Sequence, residues 1–273
     1  FTFGSERGYA DERPASAGKT KVGGFWMDQT EVTVAQFAAF VKATGYVSDA
    51  ERQGGGVVFH QPREDELAKG PLAWWRFEKG ASWRNPSGVQ GKLAGGVNLP
   101  VTQVTQADAL AYAKWLGRDL PTEAEWEYAG KAGKEGAELD TAPRNAQGKP
   151  VANYWQGPFP SFDAAADGHA GAAPAGCYAA NAFHLYDMIG NAWEWTRDPY
   201  TGPRQPHNNG DSGLALPEER RRSAATNTPT VIKGGSFLCS PDYCVRYRAS
   251  ARESQEADLG AVHIGFRTVL RNG

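Results

Sequence analysis

Leu120-Pro-Thr-Glu-Ala-Glu-Trp-Glu-Tyr128 sets the reading of the fold. Thr122, followed three residues later by Glu125, makes a capping box, so a helix is expected from Glu123 to Ala129, just after Leu120-Pro121. The same logic opens two more helices. Thr33 with Gln36 caps one whose face is Phe37, Phe40 and Val41, and Gly45 stops it. Thr105 opens another, carrying Ala109, Leu110, Ala113 and Leu116, which ends at Gly117. All three read as core helices, which fix a fold and say nothing of chemistry.

Around them the chain is irregular. It has 273 residues, 40% hydrophobic and 11% aromatic, with 33 Gly, 17 Pro and 9 Trp. That composition suits many turns pinned by large buried rings, so the expectation is one α+β domain over 1–273, low in regular secondary structure. Glu51 to Pro100, Gly130 to Pro150 and Tyr200 to Thr230 read as long loops, the last with the charge run Glu218-Glu219-Arg220-Arg221-Arg222, a solvated surface. Phe1-Thr2-Phe3-Gly4-Ser5 reads as a strand at the start of a trimmed precursor. The net charge of -2 points away from nucleic-acid partners, and no apolar run approaches the ~20 residues of a membrane helix.

The sharpest chemical feature is Cys239-Ser-Pro-Asp-Tyr-Cys244. The spacing is not CxxC, and no second pair completes a zinc site. Two thiols on one short loop can form a reversible disulfide or hold a soft ion such as Cu(I); a structural disulfide is the plain alternative, and spacing leaves both open. Cys177 reads as a lone thiol. Gly234-Gly235-Ser236 precedes the pair and Arg246-Tyr247-Arg248 follows it. The arginines can bind peptide carbonyls or carboxylates, or form ion pairs holding two loops together. Asn153, Asp163, Asp167, Asp187 and Glu194 lie on irregular chain and supply hard oxygens for Ca2+, although the pattern alone favours turn-forming roles for them by roughly threefold. His60, His169, His184, His207 and His263 show no metal-ligand spacing, and no HExxH, nucleophile elbow or phosphate loop is present.

Four stretches together carry a resemblance: Leu120 to Tyr128, Leu185-Tyr-Asp-Met-Ile-Gly-Asn-Ala-Trp-Glu-Trp195, Lys233-Gly-Gly-Ser-Phe-Leu-Cys239 and Ile264-Gly-Phe-Arg267. With Phe25-Trp-Met-Asp-Gln-Thr-Glu-Val32, Thr44-Gly-Tyr46 and Trp83-Arg-Asn-Pro86, they resemble the formylglycine-generating enzyme (sulfatase-modifying factor) family over almost the whole chain. The resemblance implies a compact, C-type-lectin-like fold, an extracytoplasmic bacterial monomer and an O2-dependent oxidase acting on a sulfatase peptide cysteine. It implies Cu(I) on Cys239 and Cys244, with Cys244 exchanging with the substrate thiol, and Ser236, Tyr243 and Trp193 lining the pocket. Arg246, Arg248 and His263 are expected against the substrate. One Ca2+ is implied on Asn153, Tyr154, Asp167 and His169, and a second on Asp187, Gly190, Ala192 and Glu194. Gly260 and His263 stand where many members have Ser and Asn, and Ala249 and Thr268 replace cysteines of animal members. The wider superfamily also contains a periplasmic oxidase of pyoverdine siderophore maturation, so a siderophore precursor is the alternative substrate. A non-catalytic lectin-like module with a locked disulfide is the third reading.

Overall fold

The computed structural model describes residues 1–14, 19–70, 73–88, 96–134, 143–202 and 228–271. The charge run at Glu218 to Arg222 and His207 lie outside the described residues. In order, the elements are β1 (Phe25–Met27), α1 (Val34–Thr44), α2 (Asp49–Gln53), β2 (Gly55–Phe59), α3 (Glu64–Leu67), β3 (Trp75–Lys79), α4 (Gln106–Trp115), α5 (Glu123–Lys131), β4 (Trp193–Pro199), β5 (Thr230–Lys233), β6 (Arg252–Gln255), β7 (Ile264–Gly265) and β8 (Val269–Arg271). This is a mixed helix and strand fold of short elements joined by irregular chain.

The three capped helices form as their sequences direct. Thr33, Thr105 and Thr122 each accept from the backbone N–H three residues on, and Gly45 closes α1 in the left-handed conformation at φ 69°. α5 runs two residues beyond Ala129. Phe37 and Phe40 of α1 are buried, and they pack with Trp83, Tyr112 and Phe266 into one ring cluster. In α4, Ala109 and Ala113 face the core, while Leu110 and Leu116 are exposed; Tyr112 fills the place expected of them.

Two expectations are corrected. Phe1 to Ser5 is not a strand; it is held by side chains, with Lys131 Nζ donating to the carbonyls of Thr2 and Gly4 at 2.7 Å. Glu51 to Pro100 is not one loop. It contains α3 and the antiparallel ladder β2–β3, in which Phe59 faces Trp75.

A four-stranded sheet of order β6-β5-β4-β7 places the chemistry. Trp193 to Thr196 of β4 are all buried, so both faces of this strand are covered and no polar alternation marks it. β4 lies parallel to β7, with Trp193 opposite Ile264. Lys233 ends β5, and the chain then turns through Gly234 and Gly235 into the cysteine loop. Gly235 has φ 78°, and a Cβ there would stand 2.7 Å from the Arg246 carbonyl oxygen; no side chain fits. β1 and β8 form a separate two-stranded sheet.

Candidate active site around Cys239 and Cys244

The cysteine loop closes on itself. Ser240 N–H donates to the Cys244 carbonyl at 3.2 Å, and Cys244 N–H donates back to Ser240 at 3.1 Å. Its base is pinned to the sheet region: Phe237 N–H donates to the Asn191 carbonyl, Leu238 N–H to the Ser236 hydroxyl, and Trp155 N–H to the Cys239 carbonyl. Asp242 latches the tip, accepting from Ser240 Oγ and from Phe159 N–H.

This framework brings Cys239 Sγ and Cys244 Sγ to 3.5 Å, unbonded and in hydrogen-bond contact. A disulfide would need ~2.05 Å. The pair titrates as a unit. Burial pushes the Cys239 thiol up, but the Cys244 S–H, backbone hydrogen bonds from Ser236 and Arg246, and the Arg246 charge outweigh it, so Cys239 lies below its ordinary range. The Cys239 hydrogen bond, then burial, then the Cys239 charge hold Cys244 well above its range. The first proton therefore comes off the pair at lower pH than the second.

Rings wall one side. Tyr243, half exposed, stacks on Phe159 at 4.7 Å and 17°, and Trp74 meets both edge-on. Trp155 and Phe59 extend the wall from Phe159, and Trp75 carries it to His263 at 4.7 Å. The indole N–H groups of Trp74 and Trp155 and Nδ1 of His263 are buried without a protein partner. Burial depresses His263 to about 3, so it is neutral at physiological pH. Phe59, Trp74, Trp75, Trp155 and Phe159 were not singled out in the sequence; the adjacent pair Trp74-Trp75 was the available signal, masked by the loop-like composition around it.

Ser236 and Trp193 are both buried, and Trp193 shares the apolar core with Cys239. Arg246 and Arg248 make the ion pairs that tie two loops. Arg246 contacts Asp11 at 3.0 Å, Glu253 at 3.2 Å and Glu12 at 3.5 Å, and Arg248 contacts Glu12 at 2.6 Å. With side chains only 7% and 6% exposed, these guanidiniums face protein carboxylates, the ion-pair alternative that the sequence left open beside substrate binding.

The expected metal ligands can be tested against the same geometry. Two thiols this close on one loop are soft donors suited to Cu(I), and the pair fits it. Asn153, Tyr154, Asp167 and His169 also lie together: Tyr154 and His169 N–H groups both donate to Asp167, and Asn153 Oδ1 is buried with no partner, an oxygen of the type a hard cation takes. The second set is half in place. Asp187 Oδ1 is unpartnered, but Glu194 is clasped by Arg267 through both oxygens and by Trp126 Nε1 at 2.7 Å, which weakens it as a cation ligand. Gly190 at φ 75° lets the Asn153 carbonyl approach within 2.2 Å of where a Cβ would be, and Ala192 is buried beside it. Glu31, absent from the expected set, is fully buried with Oε2 unpartnered; burial first and Asp187 second push it well above the usual carboxylate range. Among the described residues no three or more His, Cys, Asp or Glu side chains group as a metal site.

Comparison with known proteins follows the same outline. Residues 1–272 match the family described as the sulfatase-modifying factor enzyme 1-like domain. The formylglycine-generating enzyme of Mycobacterium tuberculosis is 39% identical over 98% of this chain and 94% of its own. That of Streptomyces coelicolor is 42% identical over 89% of this chain and 77% of its own. The structure of PvdO from Pseudomonas aeruginosa superposes with a TM-score of 0.62 at 23% identity, covering 98% of this chain and 90% of that one, a likeness of fold.

Proposed function

We propose, from the premise that this chain belongs to the sulfatase-modifying factor enzyme family, that it is an O2-dependent oxidase converting a peptide cysteine to formylglycine at Cys239 and Cys244. The observation that carries this reading is the pair of free thiols at 3.5 Å inside a wall of rings. It also disfavours the third reading, since a locked disulfide would hold the sulfurs far closer. The two relatives named as formylglycine-generating enzymes favour a peptide cysteine over a siderophore precursor.

The chain's own groups divide the work. Cys239, buried and held below its ordinary thiol range by the Cys244 S–H, is the inner member of the pair; Cys244, less buried, is the member that meets an incoming thiol. Cys239 and Cys244 would hold Cu(I), which would supply the one-electron chemistry with O2 that thiols alone lack. Tyr243, Phe159 and Trp74 exclude water from the sulfurs, and the free indole N–H groups of Trp74 and Trp155 stand ready for substrate carbonyls. We assign the extracytoplasmic setting, the monomeric state and the Ca2+ ions to the same proposal. Among the described residues no helix is long and apolar enough to cross a membrane.

The test is incubation of the reduced, copper-loaded protein with O2 and either a Cys-x-Pro-x-Arg peptide or dihydropyoverdine, read by mass spectrometry. Aldehyde on the peptide is expected. Oxidation of dihydropyoverdine alone would replace the substrate, and no oxidation of either would end the oxidase reading.

A further inference from the structure

A distant segment, residues 1–14, grips the cysteine loop from both arms. Beyond Cys244, the Tyr9 hydroxyl accepts Val245 N–H at 3.2 Å, and its ring lies 4.4 Å from the Arg246 guanidinium and 5.6 Å from that of Arg248. Asp11 and Glu12 take the same two arginines in buried ion pairs. Before Cys239, Gly4 N–H donates to Glu127 Oε1, and Glu127 Oε2 holds Lys233 Nζ at 3.0 Å, one residue before the Gly234-Gly235 turn. A loop latched at its tip by Asp242 is thus also fixed at each root by one remote strap.

We propose that Tyr9 is a positioning residue for the thiol pair, fixing Cys244 against Cys239 through the peptide that joins Cys244 to Val245. The inference rests on the reading that these thiols carry the chemistry. The direction of the Cys244 Cα–Cβ bond follows from the plane of its own peptide, and the Val245 N–H in that plane is anchored by the Tyr9 oxygen. The ion pairs hold the strap to the loop, but they join residues 234 to 236 apart in sequence and are buried, so removing one disturbs folding as a whole. The Tyr9 hydroxyl is separable: Phe keeps the ring over both arginines and removes the acceptor alone.

The experiment compares Tyr9→Phe with the unaltered protein, metal-free and reduced. Alkylation of Cys239 and Cys244 is followed separately by peptide mass spectrometry from acid to alkaline pH, and Cu(I) affinity is measured by competition with a chelator. With Cys244 released, its alkylation quickens relative to Cys239 by about fivefold, the two pH midpoints move toward each other, and Cu(I) binding weakens by about fivefold, the scale of one hydrogen bond. Tyr9→Leu, which also loses the stacked ring, goes further. Lys19→Ala, which removes the Lys19 hydrogen bond to Thr2 Oγ1 in the same strap without touching the loop, leaves midpoints and affinity unchanged. Unmoved midpoints and affinity in Tyr9→Phe, or equal movement in Lys19→Ala, overturn the proposal. Because the alkylation profile needs no turnover, an unaltered protein that alkylates as described yet oxidises nothing would sink the oxidase reading alone.

Discussion

Arg267 closes on Glu194 through two parallel bonds, Nε to Oε2 at 2.7 Å and Nη2 to Oε1 at 2.8 Å, with both side chains fully buried. The same guanidinium reaches the carbonyls of Gln29, Asp28 and Tyr186, so it knits β4 to the segment before α1. Arg267→Met leaves a carboxylate buried without its partner and is expected to cost about 3–5 kcal/mol in urea unfolding. Adding Glu194→Gln removes the stranded charge and recovers part of that loss. If Arg267→Met unfolds at the unaltered midpoint, the pair is dispensable.

Cys239 and Cys244 separate chemistry from fold. Cys239→Ser and Cys244→Ser are each expected to lose peptide oxidation while circular dichroism stays native. Cys244→Ala also removes the S–H that stabilises the Cys239 thiolate, so alkylation of Cys239 shifts to higher pH. Activity retained in either serine variant would exclude a two-thiol site.

His263 makes stability depend on pH. Burial depresses its folded value to about 3, below its ordinary 6.5. The unfolded chain therefore binds a proton that the folded one refuses, so stability is complete above about 6.5 and is lost as pH falls toward 3. Between pH 7 and 5 this amounts to about 2 kcal/mol. His263→Asn should lack that loss, seen as a smaller shift of urea midpoint between the two pH values. Parallel pH curves for the two proteins would contradict a buried neutral imidazole.

The orphaned Asn153 Oδ1 predicts a cation-dependent melting temperature. At a hundredfold excess over the dissociation constant, Ca2+ should add about 2.7 kcal/mol, and a chelator should remove it. Asn153→Ala should abolish most of that increment; an undiminished response would place the ion elsewhere.

What could be read from sequence followed from how local each signal was. The caps at Thr33, Thr105 and Thr122 lie within four residues of what they cap, and the cysteine pair lies within one loop. Ser48 with Glu51 carried the same capping signal for α2, hidden because the following stretch reads as loop. β2 and β3 escaped because 15 residues, α3 among them, separate them, and β4 because burial of both faces erases alternation. The partners of Arg246 were least accessible: Asp11 stands 235 residues away, and spacing says nothing about such a meeting.

β1 and β8 pair antiparallel, Phe25 with Arg271 and Met27 with Val269. During synthesis the early strand therefore waits, its edge unpaired, until Val269–Arg271 has been made. Closing this sheet is one of the most non-local steps of folding, and it comes after the local helices have had time to form.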